Sequence, residues 1–94
     1  MFVENWKLID RIRNASDATI TAEARRYGDI ANALELSARM MGFQDQTPRV
    51  IADIRDALRS NNRDALRVAR YTLAYVRACT AYYNRILATI WSRR

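Results

Sequence analysis

The sequence contains no histidine and only one cysteine, and both scarcities restrict the chemistry that the chain can perform. Without histidine it lacks the commonest general base, the commonest metal ligand and the side chain that most often senses physiological pH. A single cysteine, Cys79, excludes an intramolecular disulfide and a zinc site built from several thiolates. The ten acidic residues show no ligand spacing. We therefore expect a protein that is not an enzyme and that holds no cofactor or metal.

Glycine and proline are also scarce, at two and one residues, while half of the 94 residues are apolar. This composition argues against disorder and against a β-rich fold with many turns. No apolar run approaches the ~20 residues that span a bilayer. Residues 1–6 lack the basic and then apolar layout of a secretory signal. The sequence predicts one domain over residues 1–94, and a cytoplasmic location is the default expectation.

Apolar residues recur at helical spacing along most of the chain and predict four helices. Thr47 followed by Pro48 is typical of a helix start, and Asn62 can cap the last helix. Gly28, inside the second helix, indicates either a close helix approach or a local weak point. The predicted helices cover about residues 2–14, 17–41, 47–59 and 62–91.

The second predicted helix carries a heptad seam in which large and small residues alternate. Alanine at every second seam position lets a neighbouring helix approach closely. The seam residues are Ile20, Ala24, Tyr27, Ala31, Leu34, Ala38 and Met41. Together these patterns predict an all-α fold, a small antiparallel helical bundle of two helical hairpins with a long C-terminal helix.

Positive charge is concentrated in the last third of the chain, where residues 62–94 hold seven arginines and one acid. Five of these arginines fall within an arc of roughly 80° on a helical wheel, with alanines between them. They are Arg63, Arg67, Arg70, Arg77 and Arg85. A solvated helix face is one interpretation of this ridge. The other is a binding surface, because an anionic partner relieves the repulsion among like charges.

Two tyrosines, Tyr71 and Tyr82, border the ridge and extend the predicted partner-binding surface. Tyrosine and arginine together are typical of protein interface hot spots, and they also suit base stacking beside phosphates. We predict a small adaptor, regulator or inhibitor that binds an acidic protein partner, with nucleic acid as the alternative. In size and class only, it is similar to compact basic bundles among phage and mobile-element inhibitors.

The C-terminal helix has an apolar arc wider than the roughly 100° that a surface helix needs. We expect it to be covered on two or three sides, by its own bundle and by a second copy. Cys79, near the centre of the arc, is predicted to be a small core residue. The predicted homodimer contacts are Tyr83, Leu87, Ile90 and Trp91.

Overall fold

A computed structural model describes residues 2–28 and 30–92, and these residues form helices without any strand. Helix accounts for 86% of them, which confirms the all-α prediction. The elements are α1 (Trp6–Arg13), α2 (Asp17–Arg26), α3 (Ile30–Asp45), α4 (Thr47–Arg59) and α5 (Arg63–Ser92).

Side-chain caps set the starts of the first two helices. The Asn5 side chain accepts a hydrogen bond of 3.0 Å from the backbone N–H three residues later, so α1 begins at Trp6. The predicted start near residue 2 was therefore four residues too early. The Ser16 hydroxyl accepts a 3.1 Å bond in the same way, so α2 begins at Asp17.

The last two helices are joined by a tight turn. Asn61 adopts the left-handed conformation, with φ of 53°, and the Asn62 side chain caps α5 with a 3.1 Å bond. At the start of α4 the N-cap is Gln46, which makes no side-chain cap bond, and Thr47 is already helical. The helix starts where Pro48 in its first turn indicated, although Thr47 is not its cap.

The second predicted helix is divided into α2 and α3, so Gly28 lies at a break. Tyr27 leaves the helical path with φ of −109° and ψ of 55°. The break changes which side of the following helix faces inward. The inward positions are Ala33, Leu36, Met40 and Phe43, two residues later than the predicted Ala31, Leu34, Ala38 and Met41. A shift of two residues turns a helix by about 200°, so the predicted seam of α3 faces solvent.

Every shorter helix packs against α5, and among the described residues the only other helices in contact are α3 and α4. Because α1 and α2 contact α5 and not each other, the predicted grouping into two helical hairpins is not confirmed. At one end, side chains of α2 and α3 enclose the C-terminal half of α5. That core cluster contains Ile20, Ala24, Ala33, Leu36, Ile86, Leu87 and Ile90.

The wide apolar arc of α5 is covered within one chain. Val76 and Ile86 are almost completely buried, and Cys79 is buried as predicted. Four helices from the same chain supply the cover on α5, which at 1.5 Å per residue is ~45 Å long. The molecule measures 50 × 24 × 21 Å, so α5 runs almost its full length.

Candidate binding face of the long helix

Two of the five ridge arginines are bound to the N-terminal part of the chain. The Arg67 Nε donates to a Glu4 carboxylate oxygen at 2.6 Å. Arg85 donates to the Ala15 carbonyl oxygen at 2.7 Å and to an Asp17 carboxylate oxygen at 2.9 Å. These bonds hold the start of the chain and the α1–α2 connection against α5. Both arginines therefore have structural partners already.

Tyr71, predicted to border the exposed ridge, is covered by the N-terminal segment. The rings of Phe2 and Trp6 meet it edge to face, with centroids 5.5 and 5.3 Å away. Its hydroxyl donates to the Asn5 carbonyl oxygen at 3.4 Å. Tyr71 is half-buried and acts chiefly as a packing residue.

Tyr82 is also half-buried, against the core cluster. Its ring lies 5.9 Å from that of Tyr83, edge to face. Burial is the main reason that the pKa of Tyr82 is raised, and the nearby carboxylate of Glu23 adds to this. Neither of the two predicted tyrosines is an open platform for a base or a partner side chain.

The remaining arginines of the ridge, Arg63, Arg70 and Arg77, are exposed. Within the part of the chain that the structure describes, none of the three has an ion-pair or hydrogen-bond partner. They lie seven residues apart on one straight helix, which separates them by ~10.5 Å along its axis. We call these three residues the arginine strip.

One end of the arginine strip adjoins a groove. Arg77 lines a cavity of about 460 Å³ between α5 and the junction of α3 with α4. The side chains of Gln44, Thr47 and Asn84 also line it. Their amide and hydroxyl groups can donate hydrogen bonds, so the groove suits an anionic or polar group bound beside the Arg77 guanidinium.

The four predicted dimer contacts lie in different environments. Leu87 and Ile90 are each only 5% exposed and belong to the core cluster, so this fold does not present them to a second copy. Tyr83 is half-buried and stacks on Phe43, with ring centroids 5.7 Å apart. Trp91 is exposed. Homodimerisation stays a prediction, but most of these residues are used inside the chain.

Cys79 is a free, buried thiol. Burial raises its pKa, and a hydrogen bond with the Tyr75 side chain partly opposes that rise. A raised pKa keeps the sulfur protonated at neutral pH, which is the opposite of what a nucleophile requires. The structure thus gives Cys79 a packing role.

Residues 2–28 and 30–92 lack two further classes of site. No cluster of acidic, cysteine or histidine side chains there has the proximity needed to hold a metal ion. No helix in these ranges combines the length and apolarity needed to cross a bilayer. Comparison of the chain with protein-family models, curated proteins and solved structures finds no match.

Sequence reasoning missed the division of the ridge into bound and unbound arginines. The bound members, Arg67 and Arg85, lie on the side of the ridge where α1 packs. Their partners are 63 or more positions away in the sequence, so no local pattern connects them. Opposite charge on Glu4 and Asp17 was visible, but only the fold brings these carboxylates to the ridge.

Proposed function

We propose that this protein is a non-enzymatic binding protein, an adaptor, regulator or inhibitor, that docks an acidic surface of a partner protein. The arginine strip is the observation that carries the proposal. Three exposed guanidinium groups of like charge lie on one helix face, without acidic partners in the described chain. Such a row repels itself, and carboxylates from another molecule relieve the repulsion.

The spacing of the strip favours a helical partner. A partner helix with a carboxylate at every seventh residue repeats its charge every ~10.5 Å, as the strip does. The two rows can then remain in register across Arg63, Arg70 and Arg77. Each guanidinium can bind a carboxylate through two parallel hydrogen bonds, which adds geometric selectivity to charge attraction.

The groove beside Arg77 supplies a place for an anchor. A carboxylate bound by Arg77 also lies within the region lined by the Gln44 and Asn84 amides. Charge-assisted bonds in a partly enclosed groove contribute more than bonds on an open helix surface. We therefore propose Arg77 as the energetic centre of the strip, with Arg63 and Arg70 acting mainly in orientation and association rate.

We also propose that α3 packs antiparallel to α5, and the order of contacts along the chain supports this. Leu36 clusters with Ile90, and Phe43, about two helical turns further on, packs against Tyr75. Residues later in α3 therefore contact residues earlier in α5, as expected for antiparallel helices. This packing would cover one side of α5 and leave the arginine strip open along its length.

Nucleic acid is the second candidate. The high pI of about 10.2 and further exposed arginines, such as Arg11 and Arg13 on α1, favour contact with phosphates. Base stacking receives less support, because Tyr71 and Tyr82 pack inside the fold. Phosphate contacts alone would give strongly salt-dependent binding with little sequence preference.

A charge-reversal experiment tests both candidates. The variant Arg63→Glu, Arg70→Glu and Arg77→Glu is compared with Arg25→Glu, Arg49→Glu and Arg55→Glu, which reverses three exposed arginines elsewhere. The probes are a helical peptide with three glutamates at seven-residue spacing, the same peptide with five-residue spacing, and duplex DNA. Fluorescence anisotropy measures each Kd, and circular dichroism verifies folding.

We expect the wild type to bind the peptide with seven-residue spacing more tightly than the other peptide. Of the two triple variants, only the one that reverses Arg63, Arg70 and Arg77 should lose this binding. Equal loss in the two triple variants would show that only net charge matters. Binding to DNA that exceeds binding to the peptide, with a steep salt dependence, would favour the nucleic-acid candidate. Unchanged binding by a folded strip variant would contradict both.

A further inference from the structure

Helix α3 is apolar on two opposite faces. Its inner face contributes Ala33 and Leu36 to the core. Its outer face exposes Ile30, Leu34 and Met41, with exposed fractions of 54%, 59% and 54%. A surface helix normally has polar residues on the face that opposes the core. The outer stripe, as we name this face, contains Ile30, Ala31, Leu34, Ala38 and Met41.

The outer stripe has the spacing of a helix–helix interface. Ala31, Leu34, Ala38 and Met41 are separated by three, four and three residues, which is the a/d pattern of a coiled coil. Small and large residues alternate along it, so Leu34 lies between two alanines and Met41 follows Ala38. No charged residue interrupts these four positions. In the described chain, no helix packs against this face of α3, because its contacts are with α4 and α5.

We propose that the outer stripe binds the outer stripe of a second copy of this chain, with the two α3 helices antiparallel about a two-fold axis near residue 36. In that arrangement Leu34 faces the partner's Ala38, and Met41 faces the partner's Ala31. Every large side chain thus meets a small one, and the same surface serves both copies. A parallel pair would instead place leucine on leucine and alanine on alanine, which leaves gaps between the alanines.

One edge of the outer stripe carries charge. Glu35 and Arg39 form an exposed ion pair, with nitrogen and oxygen 3.0 Å apart. The two-fold axis sets the partner's pair head to tail beside it, so each Glu35 carboxylate lies near the partner's Arg39 and also near the partner's Glu35. On the other edge Ser37 and Gln44 are uncharged. The stripe is therefore complementary to itself in shape, and reversing one charge on this edge places four like charges together in the dimer.

The area of the outer stripe limits the expected affinity of the dimer. The outer stripe spans residues 30–41, about three turns or ~18 Å of helix. Stable interfaces bury about 800 Å² per partner, and one face of three helical turns presents less than that. We therefore expect a reversible dimer that forms as protein concentration rises. The outer stripe shares no residue with the arginine strip, so this inference does not depend on the proposed function.

Sedimentation velocity over a concentration series tests the interface, with Leu34→Glu as the disrupting variant. Leu58→Glu is the matched control, because Leu58 lies on α4 and is 58% exposed, against 59% for Leu34. We expect Leu34→Glu to weaken the dimer by about tenfold or more, while Leu58→Glu leaves it unchanged. A wild type that stays monomeric at every concentration, or a dimer that survives Leu34→Glu, would overturn the proposal.

A mixing experiment tests the antiparallel arrangement. The single variants Glu35→Arg and Arg39→Glu each place charges of one sign along this edge in both copies of a homodimer. Each variant by itself should therefore be monomeric. An equimolar mixture of the two variants should form a heterodimer. A mixture that remains monomeric would overturn the arrangement. Phosphatidylcholine vesicles that bind wild type but not Leu34→Glu, with no dimer in solution, would assign the stripe to a lipid surface and also overturn the proposal.

Discussion

At the scale of single residues, the arginines on one ridge of α5 lie in two different environments. Arg67 and Arg85 lie on the side of the ridge where α1 packs, and there a carboxylate or carbonyl oxygen meets each guanidinium. Arg70 and Arg77 lie about 60–80° away around the helix and meet no such group in the described residues. The position on the helix wheel, rather than the residue type, decides whether an arginine is bound within the fold or left exposed for the proposed partner.

This division predicts different stabilities for two alanine variants of α5. Arg85→Ala should lower the free energy of unfolding by about 1–2 kcal/mol, because it removes two hydrogen bonds that hold the α1–α2 connection. Arg70→Ala, at an exposed position without a partner, should change it by less than about 0.5 kcal/mol. Urea unfolding followed by circular dichroism measures both. Equal effects would contradict the division.

Glu4 controls whether Arg67 joins the arginine strip. Glu4→Gln should release the Arg67 guanidinium and add a fourth accessible cation to the ridge, at a cost in stability below about 1 kcal/mol because the Arg67 side chain is largely exposed. We expect tighter binding of the glutamate peptide described above. Glu23→Gln gives the same change in net charge next to Arg26, away from the ridge, and should have the smaller effect. The reverse order would show that Glu4 does not mask Arg67.

At the scale of helices, the sequence predicted the elements well and the orientation of one of them badly. The cap at Asn62 was visible, and so was the long final helix, because these signals are local. The inward face of α3 could not be predicted in this way, because the turn at Gly28 changes the rotation of the following helix about its axis. A continuous heptad seam crosses that turn in the sequence, yet only its first part reaches the core.

Gly42 offers a test of the boundary of α3, which extends past the predicted end to Asp45. It lies inside the helix, is exposed, and a Cβ atom there would meet nothing within 4 Å. Gly42→Ala should therefore raise the free energy of unfolding by about 0.5–1 kcal/mol, the usual gain in a helix interior. Thermal and urea unfolding measure this. A loss of stability would indicate that the helix ends before residue 42.

At the scale of the whole molecule, one long helix organises every other element. The apolar width of α5 was correctly recognised from sequence, but it does not require a second copy, because four helices of the same chain cover it. Leu87 and Ile90 are buried in that packing. How the shorter helices divide this surface depends on contacts between distant residues, and periodicity along the chain does not encode them.

The packing around α5 also predicts how stability depends on pH. Burial raises the pKa of the Cys79 thiol above its ordinary value of 9.0, and the pKa of Tyr83 above 10.0. Next to them, the charge of Cys79 raises the pKa of Tyr75. The folded protein therefore keeps these protons at a pH where the unfolded chain has released them.

The free energy of unfolding should be at its full value below about pH 9 and should fall as the pH rises through the raised pKa values. Urea unfolding in steps from neutral to strongly alkaline pH measures the decline. Cys79→Ala removes the group with the lowest ordinary pKa and also the charge that raises the pKa of Tyr75, so the decline of this variant should begin at higher pH, in the range of Tyr83. If both proteins instead gained stability with alkaline pH, the unfolded chain would have to bind these protons more tightly than the fold does. That result would contradict the burial of these α5 side chains beneath the shorter helices.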